Sequence, residues 1–198
     1  PYLIDAPQAV LANRRSAIAD VPPISFGSMP NDGGNLLLSS EEKTALLAQE
    51  PKAAQWIRQI LGSEEFINAK ERSCLWLVGI SPDELHSMPI FVKKVEAVRR
   101  YRLASARSTT RELAAIPTLF GEIRQPGNPY LAIPKTSSER RAYIPMAFLQ
   151  PNIIANTELF TIEGAGLYHF GVLSSAMHMA WVCSVCGRLK SDYRYSAG

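Results

Sequence analysis

The chain has 198 residues, of which 46% are apolar and 20% charged, and its formal net charge is +3. Those proportions exclude a disordered tail, and no run approaches the ~18 apolar residues of a membrane span. Three cysteines leave one over from any pairing, so they make no disulfide framework, which points to a reducing cytoplasm.

Taken in chain order, residues 1–38 read as an irregular or short-stranded connecting arm, with Pro1, Pro7, Pro22, Pro23 and Pro30 and a strong turn signal at Pro30-Asn31-Asp32-Gly33-Gly34. Residues 39–198 read as the globular body. Ser39, with Glu42 three positions on, predicts a capped helix. Pro51 suits the first turn of a second helix burying Trp56, Ile57, Ile60 and Leu61. Residues 73–78 are short and strand-like. Ser81 and Pro82 start another helix, and a longer one is predicted over 89–106, with Phe91, Val95 and Val98 inward. After Pro117, strands are predicted over 118–124, 130–134, 143–149 and 159–162. A helical pattern then runs from Leu167 to Val185, with Ser174 or Ser175 as an internal cap. The segment from Gly187 to Tyr195 leaves as a basic, aromatic stretch. The sum is an α+β fold: helices in the N-terminal half, a small, mostly antiparallel sheet after residue 117, and a C-terminal helix.

Charge is unevenly spread. Residues 1–89 carry a net −4, residues 90–141 a net +7, and residues 142–198 a net of zero. A basic block of that size suits a polyanion, an acidic protein partner or plain solvation. Lys93, Arg100 and Arg107 recur every seven residues, opposite the apolar side of the predicted helix. A stripe that rises about 10.5 Å per step suits a phosphate backbone. Arg188, Lys190 and Arg194 add cations in the last segment. Glu122 and Arg124 at a strand end, and Ser138, Arg140 and Arg141 in a turn, are residue types that read base edges.

Catalytic motifs are missing. Cys183-x-x-Cys186 lacks a second ligand pair at knuckle spacing and reads as a buried helix face. Glu41-Glu42-Lys43 and Pro82-Asp83 match nuclease fragments in reversed order and read as helix starts. Ser175 and His178 lie close in sequence, but no nucleophile elbow accompanies them. Neither G-x-G-x-x-G nor G-x-x-x-x-G-K-[ST] occurs. Asn128-Pro129-Tyr130 lacks the second proline of the N-P-P-Y of amino-methylating enzymes.

Several long runs resemble a known family, in the right order. They are Pro30-Asn31-Asp32-Gly33-Gly34-Asn35, Cys74-Leu75-Trp76-Leu77, Phe120-Gly121-Glu122-Ile123-Arg124-Gln125-Pro126, His178-Met179-Ala180-Trp181-Val182 and the stretch from Gly187 to Ser196. Together they resemble the target-recognition domain of MmeI-like restriction–modification enzymes. The resemblance implies specific binding of double-stranded DNA by a piece of a larger adenine-N6 methyltransferase. It implies no cofactor in this part, S-adenosylmethionine in the parent, and a methyltransferase domain of the same polypeptide as partner. It also implies that base choice lies in the sheet loops and near the start of the last helix. Glu122, Arg124, Ser138, Arg140, Arg141, Ser175, Ala176 and His178 are then the candidate base readers. Lys93, Arg100, Arg107, Arg188, Lys190 and Arg194 are the candidate phosphate contacts. A protein–protein docking module using residues 90–141 is the alternative.

Overall fold

The computed structural model describes residue 17 and residues 19–195. The first half holds β1 (Ser25–Phe26), β2 (Leu37–Leu38), α1 (Ser40–Gln49), β3 (Ile57–Leu61), α2 (Ser63–Asn68), β4 (Ser73–Leu75), α3 (Pro82–His86), α4 (Pro89–Leu103) and α5 (Ser108–Glu112). The second holds β5 (Tyr130–Pro134), β6 (Thr136–Ser137), β7 (Ala147–Leu149), β8 (Ile154–Ala155), β9 (Leu159–Glu163), α6 (Leu167–Leu173), α7 (Ala176–Val185), β10 (Gly187–Leu189) and β11 (Asp192–Arg194). The fold is α+β, as expected, but its strands are not confined to the second half.

The strands form three small sheets. In the first, the order is β2-β4-β3-β8, with β8 parallel to β3 and the other pairs antiparallel. The second is β1-β9-β5-β7, antiparallel throughout. The third joins the β10–β11 hairpin to β6. Leu36, Leu38, Ile60, Leu75, Phe91, Val95 and Val98 meet in one core beneath the first sheet. Leu131, Ile133, Phe160 and Ile162 meet Met179 and Val182 of α7 in another.

Local chemistry sets several of these boundaries. The Ser39 hydroxyl accepts the N–H of Glu42 at 3.2 Å, and the Glu42 carboxylate accepts the N–H of Ser39 at 2.8 Å, so α1 starts with a complete capping box. Ser175 caps α7 by accepting the N–H of His178 at 3.1 Å, which splits the predicted 167–185 helix into two.

Four expectations are corrected. Residues 25–38 of the expected arm belong to the body: β1 is an edge strand of the second sheet, and Leu36 and Leu38 are fully buried. The first sixteen residues of that arm lie outside the described ones. Pro51 opens only a 3-10 turn over Pro51–Trp56, and Ile57–Leu61 is a strand. Ile60 and Leu61 are both buried because β3 is an inner strand, with the two side chains entering different cores. That pair mimics a helical stripe in sequence. Residues 118–124 are no strand either. Glu122 makes a single bridge to Met29, and Gly121 packs so closely that an added Cβ would stand 2.8 Å from Asn31 Cβ. Lastly, α4 ends at Leu103, so Arg107 leaves the expected stripe and stands at the start of α5.

Arg102, on α4, is fully buried. Its Nε donates to Asn31 O at 3.0 Å. Nη1 donates to Leu113 O at 2.9 Å and Ile116 O at 3.0 Å, and Nη2 to Pro30 O at 3.1 Å and Leu119 O at 2.7 Å. All five guanidinium donors are thus filled by backbone carbonyls. Burial lowers its pKa, and the nearby Asp32 charge opposes that shift. One cation of the basic block therefore ties the turn at residues 30–31 to the segment at 113–119.

Candidate nucleic-acid interface

The segment carrying Glu122 and Arg124 is held by its backbone. The N–H of Gly121 donates to Pro30 O at 3.0 Å, and Glu122 exchanges bonds with Met29 at 3.1 and 2.9 Å. The N–H of Arg124 donates to the hydroxyl of Ser28 at 3.0 Å, and Ser28 is fully buried. Gln125 turns inward: its Nε2 donates to Pro151 O and Ile153 O, and its Oε1 accepts from the N–H of Ala155 at 3.0 Å. Glu122 and Arg124 are left as the free side chains. They pair with each other, each 41% exposed.

An aromatic line runs from that pair to α7. The Arg124 guanidinium lies 5.8 Å from the ring of Phe26. Phe26 lies 5.0 Å from Phe160, Phe160 lies 6.0 Å from Tyr195, and Tyr195 lies 5.7 Å from His178. The hydroxyl of Tyr195 is 3.0 Å from His178 Nε2. Burial pushes the Tyr195 phenol up to about 12 and His178 down from its ordinary 6.5. Both groups are therefore neutral near pH 7, and the hydrogen bond between them joins two uncharged partners. Lys135 stands over Phe26, with Nζ 4.1 Å from the ring centroid. Phe26, Lys135 and Tyr195 were not among the sequence-derived candidates. Only Tyr195 carried a signal, in the basic, aromatic last segment.

The remaining candidates fall into three groups. Ser175 is committed to the α7 cap and also donates to Val172 O at 2.7 Å. Its hydroxyl meets the backbone of His178 and not the ring, so the two form no hydrolytic dyad. Ala176 is the exposed first residue of α7. In the second group, Ser138 organises a turn, its hydroxyl accepting the N–H of Arg140 at 3.3 Å and its carbonyl that of Arg141 at 3.1 Å. Glu139 ties this turn to Asp192 of the hairpin at 3.3 Å, beside Arg188, Lys190 and Arg194. Arg188 lies 4.0 Å over the Tyr193 ring and donates to Ser191 O at 3.1 Å. Lys190 makes the turn with a left-handed φ of 57°. In the third group, Lys93 and Arg100 are exposed on α4, and Arg107 is exposed away from it.

Cys183, expected on a buried face, is exposed. Helix α7 buries only Met179 and Val182, and the Cys183 sulfur lies 3.2 Å from the Tyr193 hydroxyl. Among the described residues, no three His, Cys, Asp or Glu side chains converge as a metal site. Among them too, no helix is long and apolar enough to cross a membrane.

The family described as MmeI, target recognition domain, matches residues 5–198. The chain belongs to that family. DNA methyltransferase A of Bacillus subtilis (strain 168) is 38% identical over 198 residues, covering 100% of this chain and 22% of the relative. A solved structure of the Type IIL restriction–modification enzyme MmeI in complex with DNA is 39% identical, with a TM-score of 0.93 over 98% of this chain and 26% of that one. The recognition domain thus spans about a quarter of the length of these relatives.

Proposed function

We propose that this recognition domain reads a specific sequence of double-stranded DNA for the methyltransferase domain of its own polypeptide, a cytoplasmic, S-adenosylmethionine-dependent adenine-N6 enzyme. The observation that carries the reading is the Glu122–Arg124 pair. Two side chains that suit opposite base edges stand together on a backbone held by Met29, Ser28 and, through residues 30 and 119, by Arg102. Arginine takes guanine through O6 and N7, and glutamate accepts from cytosine N4. A partly exposed ion pair is worth about 0–1 kcal/mol, so exchanging it for base contacts costs little. The rigid backbone keeps the two side chains in register before DNA arrives.

Arg140, Arg141 and Ala176 supply further base contacts. Ser138, Ser175 and His178 shape the turns that present them. Lys93, Arg100, Arg107, Arg188, Lys190 and Arg194 meet phosphates, which orient the duplex without reading it. S-adenosylmethionine binding and methyl transfer are assigned in this reading to the rest of the polypeptide, because neither G-x-G-x-x-G nor N-P-P-Y occurs in this sequence.

The test is methylome sequencing of the parent polypeptide with single changes at Arg124, Arg140, Arg141, Ser175, Ala176 and His178. A reader variant relaxes or switches one position of the methylated sequence and leaves the others alone. Uniform loss of activity at every position, with no altered base preference, would make these loops structural.

A further inference from the structure

Lys135 links β5 to β6 with its backbone tied on both sides. Its N–H donates to Glu158 O at 2.9 Å, and its carbonyl accepts the N–H of Tyr195 at 2.7 Å. The side chain is half-buried. Its ammonium rests over two aromatic faces, 4.1 Å from the centroid of Phe26 and 5.4 Å from that of Phe160. Among the described residues it meets no carboxylate within ion-pair distance and no hydrogen-bond acceptor. The rings steady the cation but leave its three N–H donors unfilled.

The neighbouring charges sharpen this. Arg124 shares the Phe26 ring with Lys135, and Arg194 pairs in register with Thr136, the next residue along. Burial lowers the Lys135 pKa, and Arg194 and then Arg124 add to that, with only Glu158 opposing. Three cations are thus gathered beside the Glu122–Arg124 pair; Glu64, Glu65 and Glu158 line the same cleft, but none stands within ion-pair distance of Lys135. An anion bound there relieves the mutual repulsion and fills the open donors.

We propose that Lys135, flanked by Arg124 and Arg194, forms the seat of one DNA backbone phosphate next to the base edge met by Glu122 and Arg124. The inference rests on the duplex-binding reading above. The seat fixes the register of the duplex against that pair, and Phe26 forms its apolar floor. Lys135 itself carries no sequence information.

The experiment uses the full parent polypeptide with Lys135→Met, which keeps the aliphatic stem and removes the charge, and Lys135→Arg, which restores it. The probes are a duplex bearing the methylated sequence and a scrambled duplex. Lys135→Met should weaken both alike and make the slope of log affinity against log salt shallower by about one. Its deficit should then shrink roughly 3- to 4-fold between ~50 and ~200 mM salt. Lys135→Arg should recover wild-type affinity. A neutral methylphosphonate, placed at one backbone position at a time, should weaken wild type at one position where it costs Lys135→Met nothing. If the methionine variant melts early, Lys135→Gln serves the same comparison. An unchanged salt slope, or a loss confined to one base pair, overturns the proposal. Failure of the recognition reading shows separately, as equal affinity of wild type for the two duplexes, while the slope on the scrambled duplex still decides Lys135. Absence of any duplex binding overturns both.

Discussion

Replacing Arg102 is the sharpest perturbation of the scaffold beneath the Glu122–Arg124 pair. The side chain is fully buried and donates five hydrogen bonds to the carbonyls of Pro30, Asn31, Leu113, Ile116 and Leu119. A hydrogen bond to a charged group contributes about 1.5–3 kcal/mol net, so five taken at face value would rival the whole stability of a domain, about 5–15 kcal/mol. Some of these carbonyls regain water when the guanidinium goes, so Arg102→Met is expected to cost about 4–5 kcal/mol, the upper end for a single substitution. Arg102→Lys keeps a positive charge near Asp32 but offers at most three donors in a different geometry, and is expected to cost about 2–4 kcal/mol. Equilibrium urea unfolding of the 198-residue chain measures both. In the parent, the lysine variant should also blur the base position proposed for Glu122 and Arg124, because Pro30 O holds both Arg102 and the N–H of Gly121. A methionine variant within about 1 kcal/mol of wild type would refute the reasoning, since the carbonyls of Asn31 and Leu119 have no other donor among the described residues.

Two further outcomes can be measured. Ser175→Ala should lower stability by about 1 kcal/mol through loss of the α7 cap, and Ser175→Asp should restore it. A changed methylated sequence in the aspartate variant would make Ser175 a reader. Burial holds His178 below its ordinary 6.5, so the unfolded chain takes up this proton first as pH falls. The His178 contribution is therefore fully present above about pH 6.5 and is lost below it. The urea midpoint should drop from about pH 7.5 to about pH 5.5, and His178→Gln should shrink that drop. An equal drop in both proteins would place the titration elsewhere.

Much of this was legible in the sequence because it is local. The capping box at Ser39 and the internal cap at Ser174 or Ser175 depend on residues within three positions; the box forms as read, and the cap is Ser175. The α4 core face follows helical spacing, and Phe91, Val95 and Val98 are buried on it. Misreadings arose where distant pairing decides. Ile57–Leu61 is a strand because β4 and β8 flank it. Residues 118–124 lack a strand because their pairing with the chain at residue 29 stops at a single bridge, Glu122 with Met29. The charge pattern misled for the same reason. In the basic block, Arg102 is a buried clamp, Lys94 donates to Asn35 O, and Arg111 closes on the carbonyls of Ser105 and Ala106. Counting cations could not separate those from Arg124 and Lys135. Nor could spacing bring Phe26 beside Phe160, since that contact spans most of the chain.

The crossing between β8 and β9 bears on how such domains can be recombined. Ile154–Ala155 completes the first sheet beside Ile60 and Leu61, and Leu159–Glu163 sits inside the second. The three residues between them cross from one to the other, with the carbonyl of Asn156 accepting the N–H of Leu159. A chimera cut near residue 117 would therefore pair β3 from one parent with β8 from the other, and β1 with a foreign β9. Specificity is better transplanted as surface side chains on an intact scaffold, or as the whole unit from β1 to β11. Ribosomal synthesis feels the same constraint: after β4 the first sheet must wait for about eighty more residues before its last strand is made, a delay characteristic of high-contact-order folds.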